Sequence, residues 1–201
     1  MNVSQLLKFC KKLFNVFMPN LCFVCQEPLP FQRKRLCPGC FDELSLLDPT
    51  NRCPFCFEEQ IDGCKGKCSC TTEREYPFFL SFCFPPLPAA KWVERDLKTK
   101  ADDMVKGISA LMSLQLISLH WPSPDVIIPY GSKSARLIAR HLASTLNSQY
   151  YNPLVFSKKI EDKIILIISP HIHSRREINP LVEKLITRYP KRIFVLGLCH
   201  L

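Results

Sequence analysis

KIILIISPHIHSRREINPLVEKL, residues 163–185, changes its hydrophobic period part-way along. KIILIIS (163–169) is an unbroken apolar run of strand length, as expected for a strand buried on both faces. After a short polar stretch, SRREINPLVEKLITRYP (174–190) reads as a helix containing a proline that kinks or restarts it. Ser174, with Glu177 three residues later, makes a capping box at its start. At such a junction the positive end of a helix and its first amides can meet an anion.

The same alternation extends in both directions. DVIIPY (125–130) is a short buried strand, and GSKSARLIARHLASTLN (131–147) is the helix that follows. LVFSK (154–158) and RIFVLGLC (192–199) are further strands. A helical pattern runs from Trp92 to Leu119, with Val93, Leu97, Met104, Val105, Ile108, Leu111, Met112 and Leu116 as its apolar positions. Before it, FCFPPLPAAKW (82–92) is rich in proline and serves as a linker or as the strand leading into the next domain. Strands alternating with helices predict an α/β fold, a mostly parallel sheet with flanking helices. The runs at 154–158 and 163–169 have no helix between them, so one is antiparallel to the other or lies at an edge.

The front of the chain has a different character. CFVC (22–25), CPGC (37–40) and CPFC (53–56) are followed by CKGKCSC (64–70). Two thiols three residues apart turn inward on one tight knuckle, and two knuckles supply a tetrahedral S₄ site, which suits zinc. Cys22, Cys25, Cys37 and Cys40 make one such site. Cys53, Cys56, Cys64 and Cys68 make a second, in which Cys70 can replace Cys68; interleaved pairing of the knuckles is the alternative. An iron–sulfur cluster or redox dithiols are the competing uses. Structural zinc fits best, standing in for a core too small to fold alone. The domains expected are a lead-in helix over 1–20, a zinc module over 21–76, the connecting segment over 77–92, and an α/β domain over 93–201.

Composition narrows the class. The 201 residues are 47% hydrophobic, with 17 prolines and only 6 glycines, ordinary for one core plus a small module rich in fixed turns. The formal charge is +9 and lies in the second half: residues 91–201 carry seventeen Lys/Arg against nine Asp/Glu, whereas residues 1–90 are nearly balanced at ten against nine. A basic second half favours nucleic acid or a phosphorylated small molecule as partner. Lys8, Lys11 and Lys12 interrupt the first apolar stretch, which makes it a poor secretory signal. Paired cysteines and no apolar run of about 18–20 residues point to a cytoplasmic protein without a transmembrane segment. Leu6, Leu7, Cys10, Leu13, Phe14 and Phe17 form a helical stripe that docks on the protein's own core or on a membrane surface.

Two strand-to-helix junctions are candidate phosphate sites. At the first, Gly131 permits an unusual backbone angle, Ser132 caps the helix, and Lys133 lies in its first turn. At the second, Ser174, Arg175 and Arg176 open the next helix. His171 and His173 form an HxH pair that can bind metal. QRKR (32–35) can touch phosphate. Cys83, Cys199 and His200 invite a Cys–His reading, with core packing the simpler use.

The layout LFNVFMPNLCFVC, CPGC, CPFC and CKGKC, then a compact α/β domain ending in VLGLCHL, resembles the ComF family of phosphoribosyltransferase-like proteins. The resemblance implies an N-terminal zinc module joined to a shortened type I phosphoribosyltransferase-like domain. It also implies a link to competence for DNA uptake, and with it competence or DNA-processing proteins as partners. The signature of such domains is an apolar strand, two acids that hold the ribose hydroxyls, then Thr-Thr-Gly around the 5′-phosphate. Here the strand matches IILII (164–168), the acids fall on Ser169 and Pro170, and Thr-Thr-Gly falls on His173, Ser174 and Arg175. The expected function is therefore a ComF-like, non-catalytic scaffold or a factor that binds nucleic acid or protein. The alternatives are a divergent, Mg-dependent transferase using phosphoribosyl pyrophosphate and a zinc-dependent nucleic-acid-binding adaptor.

Overall fold

The computed structural model describes residues 21–29, 36–59, 68, 78–99, 101–152, 160–172 and 175–199. The chain divides into two compact units, Met1–Leu44 and Ser45–Leu201. Cys22, Cys25, Cys37 and Cys40 belong to the first. Its described helix, α1 (Pro38–Asp42), is a single turn with Cys37 as N-cap and a proline at its start, where the missing N–H costs nothing.

The second unit is α/β. Its described elements run β1 (Phe78–Phe84), α2 (Pro88–Thr99), α3 (Ala101–Ser118), β2 (Val126–Pro129), α4 (Lys133–Thr145), β3 (Gln149–Tyr150), β4 (Ile164–Ser169), α5 (Arg175–Ile186) and β5 (Arg192–Cys199). The five strands form one sheet in the order β1-β5-β4-β2-β3, and every pairing is parallel. The mostly parallel sheet expected from the alternating pattern is thus present. The run at 154–158 lies outside the described residues. The two-residue β3 beside β2 is the last strand on that side among the described residues.

Both faces of the sheet are covered, which explains why its strands read as continuous apolar runs. Alternate residues face opposite sides. Ile165 and Ile167 of β4, with Val126, Ile128, Ile193 and Val195, share a cluster with Ile178, Val182 and Leu185 of α5. α4 lies against β2 and β4 and also contacts α3, burying Ala135, Ile138, Ala139 and Leu142.

Residues 78–84 are β1, an edge strand buried along most of its length and paired with β5 from Phe78↔Ile193 to Phe84↔Cys199. The helical pattern of residues 92–119 falls on α2 and α3, either side of residue 100, which lies outside the described residues, and α2 already opens at Pro88. Gly197 on β5 sits under the ring of Phe82: a Cβ built there would lie 2.5 Å from Phe82 Cδ1 and 3.0 Å from Ile172 Cγ2. The absence of a side chain lets the ring close over the strand.

The segment from Leu47 to Glu59 is fastened to this sheet. Leu47 N–H donates to Cys83 O at 2.8 Å, and Gln115 Nε2 donates to Leu47 O at 3.0 Å. Phe55 stacks on Phe79 with centroids 5.3 Å apart, and Phe57 packs in the core against Phe82. Among the described residues no helix is long and apolar enough to cross a membrane.

Candidate functional site

Two clusters of thiols can hold a metal ion. In the first, the sulfurs of Cys22, Cys25, Cys37 and Cys40 all lie within 4.8 Å of one another. The knuckle that delivers Cys22 and Cys25 is a tight reversal. Cys22 N–H donates to Glu27 O at 2.7 Å, Gln26 N–H donates to Cys22 O at 2.9 Å, and Gln26 takes a left-handed φ of 63°. Backbone amides point at the sulfurs: Cys37 N–H at Cys22 Sγ and Cys40 N–H at Cys37 Sγ, both at 3.4 Å. Burial raises the Cys22 pKa, but the amides of Cys25, Cys37 and Val24 outweigh it and draw the thiol down to about 6. Cys40 is pushed well up by burial and by the neighbouring sulfurs of Cys37, Cys25 and Cys22. Four sulfurs this close repel one another as thiolates, and a soft cation among them removes the conflict.

The second cluster joins Cys53, Cys56 and Cys68, again within 4.8 Å, with Cys56 and Cys68 sulfurs 3.3 Å apart. Its knuckle repeats the first. Cys53 N–H donates to Glu58 O at 2.9 Å, Phe57 N–H donates to Cys53 O at 2.8 Å, and Phe57 has φ 63°. The flanking bridges match as well, Leu21↔Pro28 in one and Arg52↔Glu59 in the other. Cys64 and Cys70 lie outside the described residues.

The remaining candidate site is at the carboxyl ends of β2 and β4. From β2 the chain moves outward to β3, then crosses back to β4 and on to β5, so the direction of winding reverses between β2 and β4. Open parallel sheets bind ligands at such a reversal. The two ends are held together: Tyr130 N–H donates to Ile168 O at 2.9 Å, and the Tyr130 hydroxyl donates to Glu177 O in the first turn of α5 at 3.0 Å. Beyond β2, Gly131 has φ +90° and turns the chain into α4. Ser132 caps α4 by accepting from Ala135 N–H at 3.1 Å. Gly131 and Lys133 are exposed and Ser132 is half-buried. Arg175 opens α5 and Arg176 is exposed on it; Ser174 and His173 lie outside the described residues.

Side chains from three elements meet here. Ser132 Oγ is 2.7 Å from Ser134 Oγ, and Ser134 Oγ is 3.1 Å from His171 Nε2. His171 Nδ1 is 3.3 Å from Glu94 Oε1 on α2. Ser134 is 2% exposed, and the His171 and Glu94 side chains 16% and 8%. Both His171 nitrogens are therefore within hydrogen-bond distance of groups of the protein; His173, the other half of the HxH pair, lies outside the described residues. The sequence alone does not mark Ser134 or Glu94 as site residues. The alternate hydroxyls of GSKS and an acid on the buried face of α2 were the only signals, and neither named His171 as the partner.

The Cys–His reading does not hold for Cys83 and Cys199. Cys83 is fully buried, which pushes its thiol well up. Burial, then the charge of Glu94, pushes Cys199 up to about 11, and its Sγ faces Pro85 O at 3.6 Å. Such thiols are inert. His200 lies outside the described residues.

Comparison of the chain with protein-family models, with curated proteins and with solved structures finds no match in any of the three.

Proposed function

We propose that this chain is a ComF-like scaffold, zinc-stabilised, which presents a basic α/β unit to an anionic partner and does not carry out phosphoribosyl transfer. One observation carries the second half of this reading. At the end of β4, where a transferase would need two acids, stand Ser169 and Pro170, and the next side chain, His171, is tied to Ser134 and Glu94. Positioned groups for a ribose diol and for magnesium are what the transfer chemistry would require.

The metal assignment rests on donor chemistry. A tetrahedral thiolate zinc site has Zn–S bonds of about 2.3 Å and hence sulfurs about 3.8 Å apart, which the clusters approach at 3.6 Å for Cys25 and Cys37. Cys22, Cys25, Cys37 and Cys40 would hold one ion; Cys53, Cys56 and Cys68, with one further thiol, would hold a second. Zinc would supply folding energy to the knuckles. Paired thiols of this kind fit a reducing, cytoplasmic setting.

Nucleic acid is the partner class that the charge favours. Besides the exposed Lys133, Arg136 and Arg176, a cavity of about 330 Å³ between α3 and α4 is lined by Lys106, Arg140 and His141. A role beside the DNA-processing proteins of competence belongs to the same proposal.

Two titrations of the zinc-loaded chain test it. Phosphoribosyl pyrophosphate, with and without magnesium, should give no saturable heat, whereas a single-stranded oligonucleotide should bind with an affinity that falls steeply with salt. Saturable, magnesium-dependent heat would instead establish the transferase alternative.

A further inference from the structure

The chain of contacts at the ends of β2 and β4 has a defined polarity. A Glu94 carboxylate can only accept, so His171 Nδ1 carries a proton. With the imidazole neutral, Nε2 then accepts, and Ser134 O–H is its donor. The Ser134 oxygen is left to accept from Ser132 O–H, 2.7 Å away. All three hydrogen bonds run the same way, from Ser132 through Ser134 and His171 to Glu94. This is the order in which a hydroxyl is activated by a base that is in turn oriented by a carboxylate.

The placement suits an attacking group. Ser134 is buried, whereas Ser132 is half-buried at the turn where Gly131 takes φ +90°. A serine presented on a sharp strand-to-helix turn at the carboxyl edge of a parallel sheet is well placed to meet a substrate. The oxygen of Ser132 already accepts Ala135 N–H at 3.1 Å. It also stands at the positive end of the thirteen-residue α4. Both would stabilise negative charge developing on it.

We propose that Ser132 is a nucleophile for hydrolysis of carboxylic esters or thioesters whose acyl part carries negative charge. That charge would be met by Lys133 and Arg136, both exposed in the first turns of α4. Ser132 Oγ bonds the acyl carbon while its proton moves to Ser134 and that of Ser134 moves to His171 Nε2. The bond to the leaving alkoxide or thiolate breaks, and the relay returns the proton to it. Water then attacks the acyl carbon and gives a proton to Ser134, whose own proton moves to His171 Nε2; the bond from the acyl carbon to Ser132 Oγ breaks, Ser132 regains a proton through Ser134, and the acid leaves as its carboxylate with one proton passing to solvent. This activity stands apart from the binding role above and does not rest on it.

The full zinc-loaded chain is treated with a tagged fluorophosphonate, which bonds to an activated serine with loss of fluoride, and the labelled peptide is identified by mass spectrometry. The expected result is label on Ser132. The Ser132→Asn variant keeps a capping side chain and should take none. Ser134→Ala and His171→Gln should slow labelling about a hundredfold, the scale of general-base assistance, while circular dichroism shows them folded. A folded wild-type chain that takes no label overturns the proposal. So does label on another serine, or Ser132 labelling at an unchanged rate in both relay variants. The acyl preference is read from 4-nitrophenyl succinate against 4-nitrophenyl acetate: faster turnover of the succinate supports it, and equal turnover refutes it.

Discussion

At Gly197 the packing of the sheet depends on one missing methyl group. The ring of Phe82 occupies the space a Cβ would need, and both residues are walled in by core. Gly197→Ala must displace a buried ring, an overpacking that costs about 1–3 kcal/mol. Urea denaturation should show the midpoint falling by that energy divided by an unchanged slope. An unaffected midpoint would mean that Phe82 has room to move. Residue-scale features of this kind were the least legible in the sequence. VLGLC gave no hint of which ring its glycine receives, and the left-handed conformations of Gln26 and Phe57 occur at residues that do not advertise them. Ser134, His171 and Glu94 were equally hidden, because their meeting is made by the sheet and not by any local spacing.

Elements were easier to read, for a physical reason. β2, α4, β4, α5 and β5 each carry a hydrophobic period that the buried faces of the sheet demand, and DVIIPY, GSKSARLIARHLASTLN and RIFVLGLC therefore announced themselves. β1 was obscured by the prolines that follow it, and β3 is two residues long.

The repeated knuckle carries a prediction at this scale. Cys37 follows Cys25 by the same interval as Cys68 follows Cys56, and each pair of sulfurs is close, at 3.6 and 3.3 Å. Cys37 is succeeded by Cys40, and the thiol that succeeds Cys68 is Cys70. The correspondence predicts that Cys70, two residues on where Cys40 is three, supplies the fourth thiol of this cluster in place of the expected Cys64. Native mass spectrometry should find that Cys70→Ser loses one of two zinc ions while Cys64→Ser keeps both. The reverse pattern would return the role to Cys64.

Within the Ser45–Leu201 unit, the second cysteine cluster is packed against the sheet through its neighbouring aromatic residues. Phe57 directly follows Cys56 and is 2% exposed in the core beside Phe82 and Ile165, while Phe55 stacks on Phe79. Removing the metal should therefore loosen the sheet as well as the knuckle. A strong chelator should lower the thermal midpoint followed by the helical signal of the α/β unit, and Phe57→Ala, at a cost of about 3–5 kcal/mol, should lower it as well. A sheet that melts at the same temperature with and without chelator would show the two to be independent.

The strand order has a consequence for how the chain is made. β1 has β5 as its one strand neighbour among the described residues, and Phe78 pairs with Ile193. As the ribosome delivers the chain, FFLSFCF emerges early, yet it has no hydrogen-bonding partner until RIFVLGLC has been synthesised. β2, β3 and β4 can assemble in the meantime, so the nascent protein passes through a period with a correctly built inner sheet and an unclaimed aromatic strand. Such exposure invites aggregation. The waiting time of β1, set by the length of chain between it and β5, is the interval over which a chaperone would be most useful to this protein.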